Sequence, residues 1–150
     1  MIEFYKTQGD YGCFSNFSRH PFKLKGFSWK TSEHYFQAQK FAGTALEGAV
    51  GECNKPSEAA IMGRDRKNPL RNDWESIKDD IMREAVYAKF TQDEQIQKVL
   101  LSTGDEKLVE HSSNDSYWAD GGDGSGKNML GIILMEVRDR IMKDKTNGND

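Results

Sequence analysis

Apolar residues near the start of the chain alternate with polar ones, and Ile2 and Phe4 predict a short strand there. Phe22, Leu24, Phe27 and Trp29 flank Gly26 and predict a hairpin over 22–29. Five helical patterns follow. The first covers about 32–42. The second is opened by Pro56 and stopped by Gly63. The third begins at Asn72, with Glu75 three residues on as in a capping box, and its face is Trp74, Ile77, Ile81, Ala85 and Ala88. Thr91 with Glu94 predicts the start of the fourth, which carries Ile96, Val99 and Leu100. The fifth, about 128–142, is apolar nearly all round from Met129 to Met135 and is expected to be the central buried helix. Residues 9–18 read as a loop and 107–111 as a strand. The polar tail, 143–150, is expected to fray. The sum is an α+β fold: a compact, helix-rich single domain over 1–142 with a small β-sheet.

Composition narrows this picture. At about one domain per 150 residues, a chain of 150 residues is one domain, and it can bury roughly 70% of its unfolded surface. Charged residues make up 30% and mean hydropathy is −0.79, but 11% aromatics argue against disorder. A net charge of −3 argues against a general nucleic-acid coat protein, while leaving room for a local basic patch. The early charges of the N-terminus do not fit a signal peptide. No apolar run is long enough for a membrane span. Cys13 and Cys53 are expected to be free thiols in a reducing cytoplasm. Neither has zinc-ligand spacing, so no metal and no cofactor is expected.

Three stretches could carry chemistry. In the first predicted helix, Glu33, Gln37 and Lys40 fall within about 60° of one another on one face, while Tyr35, Ala38 and Ala42 share another. One face should pack and one stay wet. A solvated charged stripe explains this equally, and Glu33 also suits a first helical turn. The second stretch runs from Asn114 through four glycines to Lys127 and Asn128. It matches the spacing of a P-loop, but Asn128 stands where magnesium needs a hydroxyl and no buried strand precedes it. Its aspartates have the wrong spacing for a calcium loop. A glycine-rich entry to a helix could still offer free amides to phosphate, beside Lys127; an ordinary turn is the other reading. The third stretch holds four cations, Arg64, Arg66, Lys67 and Arg71, followed by Trp74. They either grip phosphate or are simply solvated. Trp74 is either core or a stacking platform. A cysteine nucleophile paired with His34 or His111 is the weakest reading, because a small buried cysteine is commoner.

Taken together and in order, these motifs are specific. They are Phe14-Ser15-Asn16-Phe17, then Thr31-Ser32-Glu33-His34-Tyr35-Phe36-Gln37-Ala38-Gln39-Lys40-Phe41, then Met62-Gly63-Arg64, Leu70-Arg71 and Asp73-Trp74-Glu75. Leu108-Val109-Glu110, Tyr117-Trp118 and Gly126-Lys127-Asn128-Met129-Leu130-Gly131 complete the series. The sequence resembles the NADAR, or YbiA-like, family over nearly its whole length. The resemblance implies a compact α+β fold and N-glycosidase activity. It points to two substrate types: ribosylamino-pyrimidine phosphates of riboflavin synthesis, and ADP-ribose on guanine, including guanine in DNA, with a toxin or defence-system partner. Residue by residue, it implies catalytic roles for Glu33, Lys40 and Asp120. It also matches Trp74 to a family functional position, and the reading of the stretches adds substrate contacts at Asn16, Arg64, Arg71, Trp118 and Lys127. Ala119 departs from the glycine usual before the family's aspartate.

Both substrate types join ribose to an exocyclic amine, so each is a glycosylamine that can ring-open to an imine. The reading that follows is exchange of the base for a lysine amine at Lys40, with Glu33 moving protons. Direct hydrolysis through an oxocarbenium-like state is the competing route. A non-catalytic ADP-ribose reader would need neither Glu33 nor Lys40.

Overall fold

A computed structural model describes residues 1–148, and residues 149–150 fall outside the described part. The chain forms two units. The unit Asn16–Lys89 is built around a hairpin and helices. Strands β2 (Phe22–Leu24) and β3 (Phe27–Trp29) pair antiparallel, with Phe22 opposite Trp29. Lys25 and Gly26 both take positive φ, 58° and 80°, as a two-residue type I′ turn requires. Helix α1 (Ser32–Gln39) follows, capped by Thr31, whose hydroxyl accepts from the His34 amide. It packs against α2 (Ala45–Gly51) and α3 (Pro56–Arg64). Trp29 meets Tyr35 edge-on at 5.1 Å, and Phe22 meets Tyr35 at 6.2 Å.

The helix α4 (Trp74–Thr91) buries Trp74, Ile81, Ala85 and Ala88, four of the five residues of its predicted face. Its start and that of the next helix correct the expected caps. Asn72 lies in a turn ahead of Trp74, and Thr91 is the last residue of α4. The cap of α5 (Glu94–Ser102) is Asp93, whose carboxylate accepts from the Gln95 and Ile96 amides. The sequence reading also lacks α2. Its signal is present: Thr44 accepts from the Leu46 amide and Glu47 reaches back to the Gly43 amide.

The other unit contains Met1–Ser15 and the chain from Phe90 onward. Strand β1 (Ile2–Phe4) pairs with β4 (Leu108–Glu110) in parallel, Ile2 opposite Leu108. A 3-10 turn, Gly12–Phe14, sets Phe14 among Phe4, Tyr11 and Phe90. The helix α6 (Met129–Gly148) lies on β4. At Gly131 a side chain would run into the Leu108 carbonyl, so only glycine allows that approach. Asn128, at φ 55°, ties the helix entry to the strand: its Nδ2 donates to Leu108 O and its Oδ1 accepts from the Glu110 amide.

The expected single small sheet is thus two two-stranded sheets, one in each unit. The fold class is α+β, with six helices among the described residues. The polar tail expected from Lys143 is helical through Gly148, because α6 continues past Met142; its last two residues fall outside the described part. The expected central helix is also corrected. Helix α6 exposes Ile132 and Glu136, whereas all eight residues of α1 are buried. No described helix is long and apolar enough to cross a membrane.

Candidate active site

Helix α1 has no wet face, contrary to its two-faced reading. It carries Glu33 and Gln37 into the interior of its unit and ends beside Lys40. Glu33 is 6% exposed. Its amide donates to Asn16 O, and its Oε2 accepts from Gln37 Nε2 at 2.8 Å, one helical turn on. Gln37 is itself 3% exposed, and its Oε1 has no hydrogen-bond partner. Gly63 of α3 presses on that amide so closely that a Cβ there would overlap Gln37 Oε1.

Lys40 follows the last residue of α1, at its C-cap. Its Nζ donates to Gly63 O at 3.2 Å and sits 5.9 Å and 5.8 Å from the centres of the Phe36 and Trp74 rings. The two rings meet edge-on at 5.0 Å. Burial lowers the lysine's proton affinity below the ordinary value, and the Arg64 charge lowers it further. Glu33 acts the other way and is the strongest of the charges on Lys40. Lys40 and Glu33 are linked through Gly63 and Gln37: Lys40 donates to the Gly63 carbonyl, and Gly63 packs on the Gln37 amide that donates to Glu33. That yields a desolvated amine near a buried carboxyl, a combination suited to nucleophilic attack on a carbonyl-like carbon.

The remaining residues divide. Arg64 ends α3, exposed and without an ion-pair partner. Arg71 is held by Asp73 through two hydrogen bonds, of 2.7 Å and 3.1 Å, and donates to Gln39 O. Its guanidinium braces the chain beside α1 rather than standing free for phosphate. Trp74, at 4% exposure, is a wall for Lys40 and offers no open platform for a base. Asn16 Oδ1 accepts from the Ser32 hydroxyl, which leaves its Nδ2 as the group that could meet a ligand.

Cysteine catalysis has no support here. The His34 ring meets Cys53 through the backbone carbonyl and Thr31 through the hydroxyl. Burial raises the Cys53 thiol above its ordinary value, away from thiolate.

In the other unit, Asp120 is 5% exposed and heavily bonded. Its Oδ1 accepts from the Ser112 and Gly122 amides, and its Oδ2 faces His111 Nδ1 at 2.7 Å. The imidazole beside it holds the carboxyl below its usual range. Trp118 is half-buried and meets Tyr117 edge-on at 5.0 Å. Lys127 Nζ lies 5.2 Å from the Tyr117 ring centre.

The free amides expected of the glycine-rich loop are not there. Gly121 donates to Asp115 O, Gly124 and Gly126 to Asp120 O, and Lys127 to Ser116 O. Asn128, Met129 and Leu130, at the entry to α6, donate to Ala119 O, Tyr117 O and Trp118 O. The loop folds back on itself to cap the helix, which consumes its donors. The fold also gathers a cluster that no sequence spacing showed: single donor atoms of Glu3, His111 and Asp120 lie within 4.8 Å of one another. Gln37, Gly63 and His111 are named in the sequence reading but are not among its site residues. For Gln37 the signal was its place on the Glu33 and Lys40 face.

A model of the NADAR domain matches residues 3–142. The chain is 51% identical to N-glycosidase YbiA of Escherichia coli (strain K12), covering 97% of this chain and 91% of that protein. It is 48% identical to an N-glycosidase of Nostoc punctiforme, covering 93% and 92%. A riboflavin biosynthesis protein of Vibrio vulnificus is 39% identical, covering 95% of this chain and 39% of the larger protein. The NMR structure of the E. coli protein YbiA superposes with a TM-score of 0.90 at 51% identity, covering 97% of this chain and 86% of that one.

Proposed function

The chain belongs to the NADAR family and is an N-glycosidase, and on that premise we propose that it releases a base from a phosphorylated ribosylamine by imine exchange at Lys40. The observation that carries the reading is the lowered proton affinity of Lys40, on which the buried Glu33 carboxyl acts as the strongest charge. Glu33 gives a proton to the ring oxygen as the bond from C1′ to that oxygen breaks, leaving an imine between base and sugar. The unprotonated Lys40 amine adds to C1′. The base then leaves as its free amine, keeping the electron pair of its bond and taking a proton. Water adds to the resulting lysine imine with Glu33 as base, and Lys40 departs as the ribose aldehyde forms. No step needs a metal or a redox cofactor.

Arg64 is the phosphate grip of this unit, since Arg71 is engaged by Asp73. In the other unit, Trp118 and Lys127 are assigned to base and phosphate, and Asp120 to the sugar hydroxyls or the proton work. The riboflavin biosynthesis names of longer relatives support a ribosylamino-pyrimidine phosphate as substrate. ADP-ribosylated guanine shares the same ribosylamine bond and would bring with it a toxin or defence-system partner. The free Cys13 and Cys53 thiols suit a reducing cytoplasm.

Incubation with each substrate class, followed by mass analysis of free base, tests the proposal. Release from the pyrimidine phosphate is expected. Release from ADP-ribosylated guanine alone would move the substrate to that class, and release from neither would end the reading.

A further inference from the structure

Outside the Lys40 site, a cleft of about 430 Å³ opens in the unit that holds β1, β4 and the glycine-rich loop. It is lined by Glu3, Lys107, His111, Asp120, Asp123 and Lys127, among others. Its acidic groups are mostly engaged. Asp120 accepts from two backbone amides and faces His111, while Asp123 accepts from the Ser125 amide and hydroxyl. Its cationic groups are not. Among the described residues the Lys107 amine has no hydrogen bond, the Lys127 amine meets only the Tyr117 ring, and the His111 ring uses Nδ1 alone, which leaves Nε2 without a partner.

We infer that this cleft is a phosphate-binding subsite in which His111, turned by Asp120, donates from Nε2 beside Lys107 and Lys127. Two backbone amides fix Asp120, so its carboxylate fixes the imidazole in turn and keeps Nδ1 protonated. Asp120 thereby acts as a positioning residue through His111. The charges around the imidazole come from every side. Glu3 of β1 lies at 3.7 Å, Asp120 at 2.7 Å, Lys107, Asp123 and Lys127 share the cleft, and Lys6 and Asp10 line the neighbouring cavity. The hydrogen bond that Nδ1 donates to Asp120 raises the imidazole's proton affinity above the ordinary value, which favours its cationic form. Of the carboxylates in this set, those of Glu3 and Asp10 have no hydrogen bond among the described residues, and Glu3 is the one that lines the cleft. The loop amides play no part, because they are bonded internally. That the phosphate is the substrate's own rests on the proposed function; the binding itself does not.

The test is a titration of the full chain with sulfate, whose charge is constant over the range, and with inorganic phosphate and ribose 5-phosphate, from pH 6 to 8.5. Sulfate affinity should fall as pH rises through the His111 transition, above 6.5. His111→Gln should weaken binding at pH 6 about tenfold and abolish that pH dependence. Asp120→Asn should move the transition to lower pH while acid restores binding. Glu3→Gln should tighten binding at pH 6. Tighter binding of ribose 5-phosphate than of inorganic phosphate would assign the site to a sugar phosphate; equal binding would assign it to phosphate alone. Sulfate binding that is flat with pH, unchanged in His111→Gln, or lost only in Arg64→Gln would overturn the inference. Base release is measured separately: its absence with this binding intact would end the glycosidase reading and leave the subsite standing.

Discussion

Helix α1 and the glycine-rich loop are both rich in polar residues, and the fold treats them in opposite ways. The loop is exposed over much of its length, yet its amides are bonded internally from Gly124 to Leu130. It is scaffold, and what it offers a ligand is side chains. Helix α1 is buried from end to end, yet it leaves Gln37 Oε1 without a partner and Lys40 with an amine that holds its proton poorly. A buried, unpaired acceptor costs about 1–3 kcal/mol. Incomplete satisfaction of polar groups in the interior, more than polarity itself, marks the reactive region.

Four substitutions press on that contrast. The largest effect is expected from Glu33→Gln, which keeps volume and loses the proton. Base release should fall about 10²–10⁴-fold with an unchanged melting curve, as for loss of a general acid–base group. Near-normal turnover by a folded variant would remove Glu33 from the chemistry. Asn128→Ala strips two buried bonds from β4 and should cost about 2–3 kcal/mol in urea unfolding. A loss below about 0.5 kcal/mol would mean that water replaces the asparagine at no cost, and the loop would not be the rigid scaffold described.

Gly63→Ala tests the packed side of α1. The new methyl must push aside the Gln37 amide that holds Glu33, so about 1–3 kcal/mol of stability should go, and kcat should drop more than KM rises. Unchanged kcat would show that the Gln37 hold on Glu33 is dispensable. The smallest effect is a shift in pH dependence. Lys40 attacks as the free amine, so kcat/KM rises with pH through its pKa, which lies below the ordinary 10.5. Arg64→Gln removes a positive neighbour, and the rising limb should move to higher pH, toward that value. A limb that stays in place would exclude Arg64 from the Lys40 environment.

Much of this was legible in the sequence. Period-two and period-3.6 patterns located the hairpin, the strand pair and five helices, because those elements bury one face. Helix α2 escaped because it is seven residues long and holds Gly48 and Gly51, though Thr44 and Glu47 signal its start. The caps expected at Asn72 and Thr91 are displaced for different reasons: α4 begins only at Trp74, and Asp93 holds the entry to α5. Burial of α1 was not legible, since it comes from packing against α2 and α3, and the sequence reading lacked α2. The Glu3, His111 and Asp120 cluster was hidden for the same reason, because strand pairing brings residue 3 beside residue 109. Family motifs named Glu33 and Lys40, but only packing shows what joins them: the Gly63 carbonyl holds Lys40, and the Gln37 amide under Gly63 holds Glu33.

Borohydride added during turnover is the most direct measurement of the central claim. If Lys40 exchanges with the base, reduction of its imine should fix the sugar to the protein as a stable amine. Peptide mapping should place the added mass on Lys40. Lys40→Arg should neither trap nor turn over, because guanidinium stays protonated. An untrapped wild-type enzyme, together with substantial activity in Lys40→Arg, would contradict imine exchange and leave direct hydrolysis through an oxocarbenium-like state.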